Sequence, residues 1–388
     1  MKRLISILAV VLASVMLFSA CGINNEKPAE TAAQTTAPEE TTPGATLPEN
    51  TPPENTQPED VPTEPTIPEP VEPDPNCEHT YTGRIVLEQV TTKEDGKIAN
   101  VCGKCGGWQE EILPAVKSLK ILAIGNSFSN NALEFLPILA KELGIEEVII
   151  GKLYRGSCTV DRHWTDAQSG ADYESFQVNT TRDASWKTYA AGQRSLIYAL
   201  KLYDWDIITF QQSSGYSGQG SSLSNLQNLI DFVNDNKTNP NAKFYWHMTW
   251  AYSQFTSHGS FSNYGKDQMT MYNAIVDVTK DYIVTNPSFT GVIPAGTAIQ
   301  NYRDRDLNDS LIESKYITVS DGYHLQTYAR VLAAMTWLRT LTGLSLDRIT
   351  CTTHENVRFV ADYQLKYIKK AADAAYLKPY EVTYVYRG

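Results

Sequence analysis

From about Lys117 onward, short apolar runs alternate with longer stretches whose apolar positions recur at helical spacing. "LKILAIG" (119–125), "EEVIIG" (146–151), "DIITFQQ" (206–212), "AKFYWHM" (242–248) and "FTGVIPA" (289–295) read as strands too apolar for a half-exposed sheet. Between them, "ALEFLPILAKELG" (132–144), "GQRSLIYALKLY" (192–203), "SLSNLQNLIDFVND" (222–235) and "QMTMYNAIVDVTKDYI" (268–283) read as helices. This alternation predicts an α/β domain, a parallel sheet covered by helices on both faces. Ligands in such sheets bind beyond the C-terminal ends of the strands. Ser127, in "ILAIGNSFSN", stands at the end of the first strand, with Ser129, Asn130 or Asn131 available to cap the helix after it.

A second group lies near the other end, in "SDGYHLQTYARVLAAMTWLRTLTG". Leu325, Tyr328, Leu332, Met335 and Leu338 share one helical face, and Gly343 is placed to end that helix. Asp321 and His324 fall just ahead of it, at a spacing that lets one turn present both side chains to the same cleft. A serine nucleophile needs such a base within reach, and a carboxylate to hold the base in the right tautomer.

A glycine-flanked serine after the first strand and an Asp-x-x-His before the last helix resemble the SGNH (GDSL-type) hydrolases, over essentially all of 117–380. The resemblance implies a flavodoxin-like three-layer α/β/α sheet and hydrolysis of carboxylic esters without a catalytic cofactor. It implies Ser127 as nucleophile and backbone oxyanion donor, His324 as general base and acid, and Asp321 as the group orienting His324. The family's second motif, a glycine donating its backbone N–H to the oxyanion, is matched by Gly156 in "LYRGSCTVDRHW". Its third motif is an asparagine, which "FQQSSGYS" lacks. A glutamine amide can make the same donation, so Gln212 is the expected donor, with Gln211 the alternative because adjacent strand residues face opposite sides.

"FYWHMTWAYSQF" offers Trp250 and Trp246 as flat surfaces for a sugar ring, although such residues are commonly core. His247 is a second histidine, with no carboxylate placed beside it. "DRDLNDSLIE" lacks the mid-loop glycine of a calcium loop and has Lys315 where the final glutamate belongs. The substrate expected from this context is an acylated, chiefly O-acetylated, glycan. The alternatives are a lipase or thioesterase of the same superfamily, and a non-catalytic glycan-binding protein on a hydrolase fold.

Residues 77–113 form a separate β-rich stretch with Asp95-Gly96 as a turn signal, bracketed by Cys77, His79, Cys102 and Cys105. Three thiolates and an imidazole make a closed tetrahedral zinc set, and the stretch resembles a zinc-ribbon-like module. Disulfides are the rival reading, because an exported chain meets oxidising conditions. With three cysteines given to the metal, Cys158 and Cys351 are left as buried thiols.

Residues 1–20 read as a signal peptide: Lys2 and Arg3, an apolar stretch, then Phe18-Ser19-Ala20-Cys21. The last four resemble the lipobox of bacterial lipoproteins. That implies lipidation at Cys21, and so a membrane-anchored, extracytoplasmic protein at the bacterial cell surface. Residues 21–76 hold thirteen of the nineteen prolines and twelve acidic residues against one lysine, Lys27. Such a segment cannot bury enough apolar surface to fold and reads as a disordered tether. It also carries the chain's net charge of −11, which leaves the folded part nearly neutral and gives no support for nucleic-acid binding.

Overall fold

A computed structural model describes residues 67–303, 317–352, 359–383 and 385. The signal peptide, Cys21, most of the tether and the Asp304–Lys315 stretch lie outside them.

A small antiparallel sheet opens the described chain: β1 (Tyr81–Glu88), β2 (Gly96–Cys102) and β3 (Trp108–Leu113), in the order β1-β2-β3. The β2–β3 turn contains Cys102 and Cys105. This sheet packs onto the rest of the described chain. Arg84 donates to the Tyr376 carbonyl at 2.8 Å, Gln89 donates to the Gly343 carbonyl at 2.7 Å, and Val90 belongs to the same apolar core as the main sheet.

The main sheet has seven strands: β4 (Ser118–Gly125), β5 (Glu147–Tyr154), β6 (Ser175–Asn179), β7 (Lys187–Thr188), β8 (Ile207–Phe210), β9 (Lys243–His247) and β10 (Gly291–Ile293). Their order is β10-β9-β8-β4-β5-β6-β7. The five expected strands are parallel and in the doubly wound 2-1-3-4-5 order. Consecutive residues of β8 are all buried, so both faces of the sheet are covered. The fold is α/β, as expected, with one difference: β6 and β7 extend the β5 edge antiparallel. The chain leaves Tyr154 and returns at Ser175 on the same end of the sheet, because α3 (Val160–Ser169) does not carry it back across.

The helices form two packing groups. One comprises α1 (Ser127–Leu133), α2 (Leu136–Glu142), α7 (Ala295–Tyr302), α8 (Thr327–Thr342) and α9 (Asp362–Leu377). The other comprises α3, α4 (Leu196–Leu202) and α5 (Leu226–Asn236); α6 (Gln268–Val278) completes the set. The helix expected over 132–144 is two helices. Pro137 in the first turn of α2 has no N–H to continue the ladder, and the chain breaks at Phe135. Helix α8 ends at Gly343 in the left-handed conformation (φ 69°), as its sequence predicts. Unlike an ordinary surface helix it is buried nearly all round, from Val331 to Arg339.

Candidate active site and metal centre

Ser127 is the first residue of α1, directly beyond the central strand β4. The cap is Asn126, ahead of the residues expected for that role: its side chain accepts the Phe128 N–H at 3.0 Å. Ser127 is half-buried. Phe128, the next residue, stacks on Trp250 with centroids 4.2 Å apart and tilts toward the His324 ring at 6.1 Å.

Asp321 and His324 share a tight turn closed by the Thr318–Leu325 bridge, with Gly322 at φ 79° and its N–H bonded to the Val319 carbonyl. His324 Nδ1 lies 2.6 Å from Asp321 Oδ2, while Asp321 Oδ1 accepts the backbone N–H groups of Tyr323 and His324 at 2.9 Å. A carboxylate at Nδ1 fixes the proton there and leaves Nε2 as the lone-pair nitrogen. That Nε2 is buried and has no partner. The turn is tied to the Ser127 side twice. Asn131 Oδ1 accepts the Leu325 N–H at 2.8 Å, and Trp250 Nε1 donates to the Tyr323 carbonyl at 2.8 Å. The three residues expected to form a triad therefore sit on two elements locked to each other.

Other expected roles need correction. Gln212 gives its amide to the Ser222 carbonyl and hydroxyl at 2.8 and 3.0 Å, and its oxygen accepts from Ser213 and Val160. Its bonding capacity is spent on the loop, so it is not an oxyanion donor here. The Gly156 N–H points to Glu174 Oε2 at 3.1 Å. Trp246 (3% exposed) and Trp250 (0%) are core, with no face open to a sugar. Trp250 serves instead as the platform under Phe128.

Gln211, expected only as an alternative oxyanion donor, and His247, expected only as a second histidine, join in a buried polar chain that the sequence did not show. Gln211 donates to Asn126 Oδ1 at 2.7 Å, and its Oε1 lies 3.0 Å from His247 Nδ1. Burial pushes His247 down to about 3, so it is neutral and donates to Gln211. On the other side, Arg155 N–H bonds the Gly125 carbonyl at 3.2 Å and Asn126 Nδ2 bonds the Cys158 carbonyl at 3.3 Å. Between these ties stands Ser157 in the left-handed region (φ 51°), its N–H without a partner among the described residues. A non-glycine residue held at positive φ near Ser127 is a backbone signal that the sequence does not carry.

Cys77, His79, Cys102 and Cys105 offer ligand atoms all within 4.8 Å of one another, close enough to bind a metal ion. Tetrahedral zinc would set S···S near 3.8 Å and S···N near 3.6 Å, about what its bond lengths require. The Cys77–Cys102 sulfur distance is 3.9 Å and Cys105 Sγ lies 3.5 Å from His79 Nδ1. Backbone N–H groups of Lys104 and Gly107 point at the Cys102 and Cys105 sulfurs, both at 3.4 Å. Protons alone divide this set. The backbone N–H of Cys105 and its neighbours draw Cys102 down to about 5, whereas desolvation raises Cys77 to about 11. A divalent cation removes the division by holding all three as thiolates. None of the five described cysteines is in a disulfide, and Cys158 and Cys351 are buried as expected.

A cavity of about 1120 Å³ lies elsewhere, between the small sheet and the N-terminal ends of the main strands at Ser118, Asp206, Lys243 and Gly291. It is the seam between two packed layers, at the end of the sheet opposite Ser127.

Residues 120–372 match the model of DUF4886, described as a domain of unknown function. The crystal structure of a DUF4886 family protein from Bacteroides uniformis is 31% identical, with a TM-score of 0.61 over 69% of this chain and 97% of that one. Two weaker likenesses share a TM-score of 0.32. LAE5, an alpha/beta hydrolase from the metagenome of Lake Arreo, is 10% identical (58% of this chain, 95% of that one). The salicylyl-acyltransferase SsfX3, from a tetracycline biosynthetic pathway, is 11% identical (71% and 76%). No curated protein matches the chain.

Proposed function

The chain belongs to the DUF4886 family, and we propose that it is a serine ester hydrolase built on the SGNH plan. One observation carries this reading: His324, held at Nδ1 by Asp321, keeps a buried and unpartnered Nε2 on a turn pinned to the helix that begins with Ser127. Ser127 Oγ attacks the ester carbonyl as His324 Nε2 takes its proton. The oxyanion is met by the backbone N–H of Ser127 and, in place of the expected Gly156 and Gln212, by the free N–H of Ser157. The tetrahedral species expels the alcohol, which takes the proton from His324. Water, deprotonated by the same nitrogen, then releases the acid and restores Ser127.

The substrate class to test first is an O-acetylated carbohydrate. That choice rests on the lipobox at Cys21 and the long tether, which would hold the domain out from a bacterial cell membrane toward surface glycans; the buried tryptophans no longer support it. The four-residue cluster of the small sheet is assigned structural zinc on the strength of its S₃N donor set and spacings.

The test is acetate release from acetylated oligosaccharides, alongside labelling by a fluorophosphonate probe, for the native chain and Ser127→Ala. Release and labelling that both vanish in the variant support the esterase. A folded native chain that does neither ends the reading in favour of a binding protein.

A further inference from the structure

On the far side of α1 from its cap lies a second cavity of about 480 Å³, a volume suited to a small ligand. Asn130 and Asn131 of α1 line it, with Glu134 at the helix's C-cap, Lys152 of β5, Trp186 and Arg330 of α8. It adjoins the proposed catalytic centre. Asn130 lies one helical turn beyond Ser127, and Asn131 is the residue that holds Leu325, the neighbour of His324.

Lys152 is the anomaly of this cavity. Its side chain comes from a core strand and is 8% exposed, yet its ammonium has neither a hydrogen bond nor an ion pair among the described residues. Its ammonium lies over the Trp186 ring, 3.6 Å from Nζ to centroid, and feels the charge of Glu134. Glu134, the acid of this cavity, is already taken by Arg330 at 2.6 Å. The count of two cations and one carboxylate leaves a single positive charge unmatched. Asn130 Oδ1 is also buried without a partner. Buried charges are ordinarily paired, because desolvation without a partner is costly. Burial does pull Lys152 down, to about 8, which leaves it mostly charged at neutral pH. A cation kept in this state beside a nucleophile has the form of a receptor waiting for an anion.

We infer that this cavity is a specificity subsite in which Lys152 receives a carboxylate carried by the ester substrate, on its sugar or on its acyl group. The inference rests on the esterase reading and narrows it: the favoured esters are acidic. A carboxylate placed here would pair with Lys152 while the ester itself lies against Ser127, one helical turn away.

Two matched pairs of esters test it with the full chain. The first pair is an O-acetylated methyl glucuronoside and the corresponding glucoside; the second is 4-nitrophenyl succinate and butyrate. In at least one pair the charged ester should be preferred in kcat/KM, and Lys152→Met should lower that charged-to-neutral ratio by about tenfold to a hundredfold, the usual worth of a charged hydrogen bond. Lys152→Arg should keep part of the preference. A ratio disturbed only in the first pair assigns the carboxylate to the sugar, and only in the second to the acyl group. Ratios that Lys152→Met leaves unchanged in both pairs overturn the inference, and a ratio is insensitive to partial loss of folded enzyme. If neither pair is hydrolysed at all, the esterase reading fails first. Titration of glucuronate and succinate into Ser127→Ala then decides: binding abolished by Lys152→Met keeps the subsite, and no binding removes it.

Discussion

Gln211 donates its amide to Asn126 Oδ1 at 2.7 Å while its own oxygen is held by His247 at 3.0 Å. A buried polar chain thus runs from β9 through β8 to the residue that caps α1 at Ser127. Its work is positional, since none of its members reaches the lone-pair nitrogen of His324. Gln211→Leu should loosen Asn126, which keeps the Phe128 N–H and the Cys158 carbonyl, and lower kcat by about tenfold to a hundredfold, with KM within about threefold. It should also cost about 1–3 kcal/mol of stability in urea unfolding, because the buried His247 Nδ1 loses its acceptor. An unchanged kcat would detach this chain from catalysis.

Asp321→Asn should preserve the turn geometry and destroy the tautomer. An amide at 2.6 Å can offer its N–H to Nδ1, which drives the proton to Nε2, the wrong nitrogen for a base. A fall in kcat of about 10⁴, with an unaltered circular dichroism spectrum, is expected. Ser127→Ala should cost more, about 10⁶. A loss below tenfold for Asp321→Asn would mean that His324 is not oriented by this carboxylate.

Metal removal should separate folding from chemistry. The cysteine cluster lies by the N-terminal ends of the main strands, and Ser127 beyond their C-terminal ends. The native chain should carry one zinc per molecule by elemental analysis. Cys102→Ser should lose it and lower the melting temperature by several degrees, since the small sheet has little core of its own. Turnover at 25 °C should stay within about twofold. A cluster that takes up no metal, or a metal-free protein with unchanged melting, would count against the assignment.

Acid should destabilise the fold through two buried histidines. Burial pulls both His163 and His247 down to about 3, whereas an unfolded chain protonates them near 6.5. Between those values the unfolded state binds more protons, so stability falls as pH drops through that window. By pH 5 the two together should have withdrawn about 4 kcal/mol, an order-of-magnitude figure from about 1.4 kcal/mol per unit for each. Urea midpoints at pH 7 and pH 5 measure it. A flat profile would show that one or both rings are hydrated.

Lys152 titrates in the opposite sense. Its ammonium persists below about 8, so any preference for acidic esters should hold at neutral pH and fade above pH 8 as the amine becomes neutral. Arg330 and Glu134 are the other charged groups facing it. The unfolded chain keeps that proton to about 10.5, so the group's stability penalty is full below 8 and disappears between 8 and 10.5. At pH 7 the penalty is roughly 3 kcal/mol, and Lys152→Met should therefore melt several degrees higher. A lower melting temperature would mean that the Trp186 contact outweighs desolvation.

The parallel core was legible because its signal is local: each strand is a run of apolar residues, and each helix repeats its apolar face. The Asp321–His324 turn was legible for the same reason, both partners lying within four residues. What escaped depended on pairing across the fold. The β6 and β7 strands are short and half-exposed, so they lack the apolar run that marked the others. Gln211 and Gln212 are adjacent and chemically identical, and only their distant partners, Asn126 in one case and Ser222 in the other, distinguish them. Trp250 looked like a surface for sugar because its sequence neighbours are aromatic. Its true neighbour is Phe128, from the other side of the sheet order.

The tie between Asn131 and Leu325 joins residues 194 apart in the chain. A ribosome that has made the central strand and Ser127 has still to make the histidine that would activate it. Throughout synthesis, and through any passage across a membrane as an unfolded thread, the serine is an ordinary alcohol. On the proposed mechanism, hydrolytic power waits until the turn that carries His324 docks against α1. A chain cut before His324 would then hold the serine without its base.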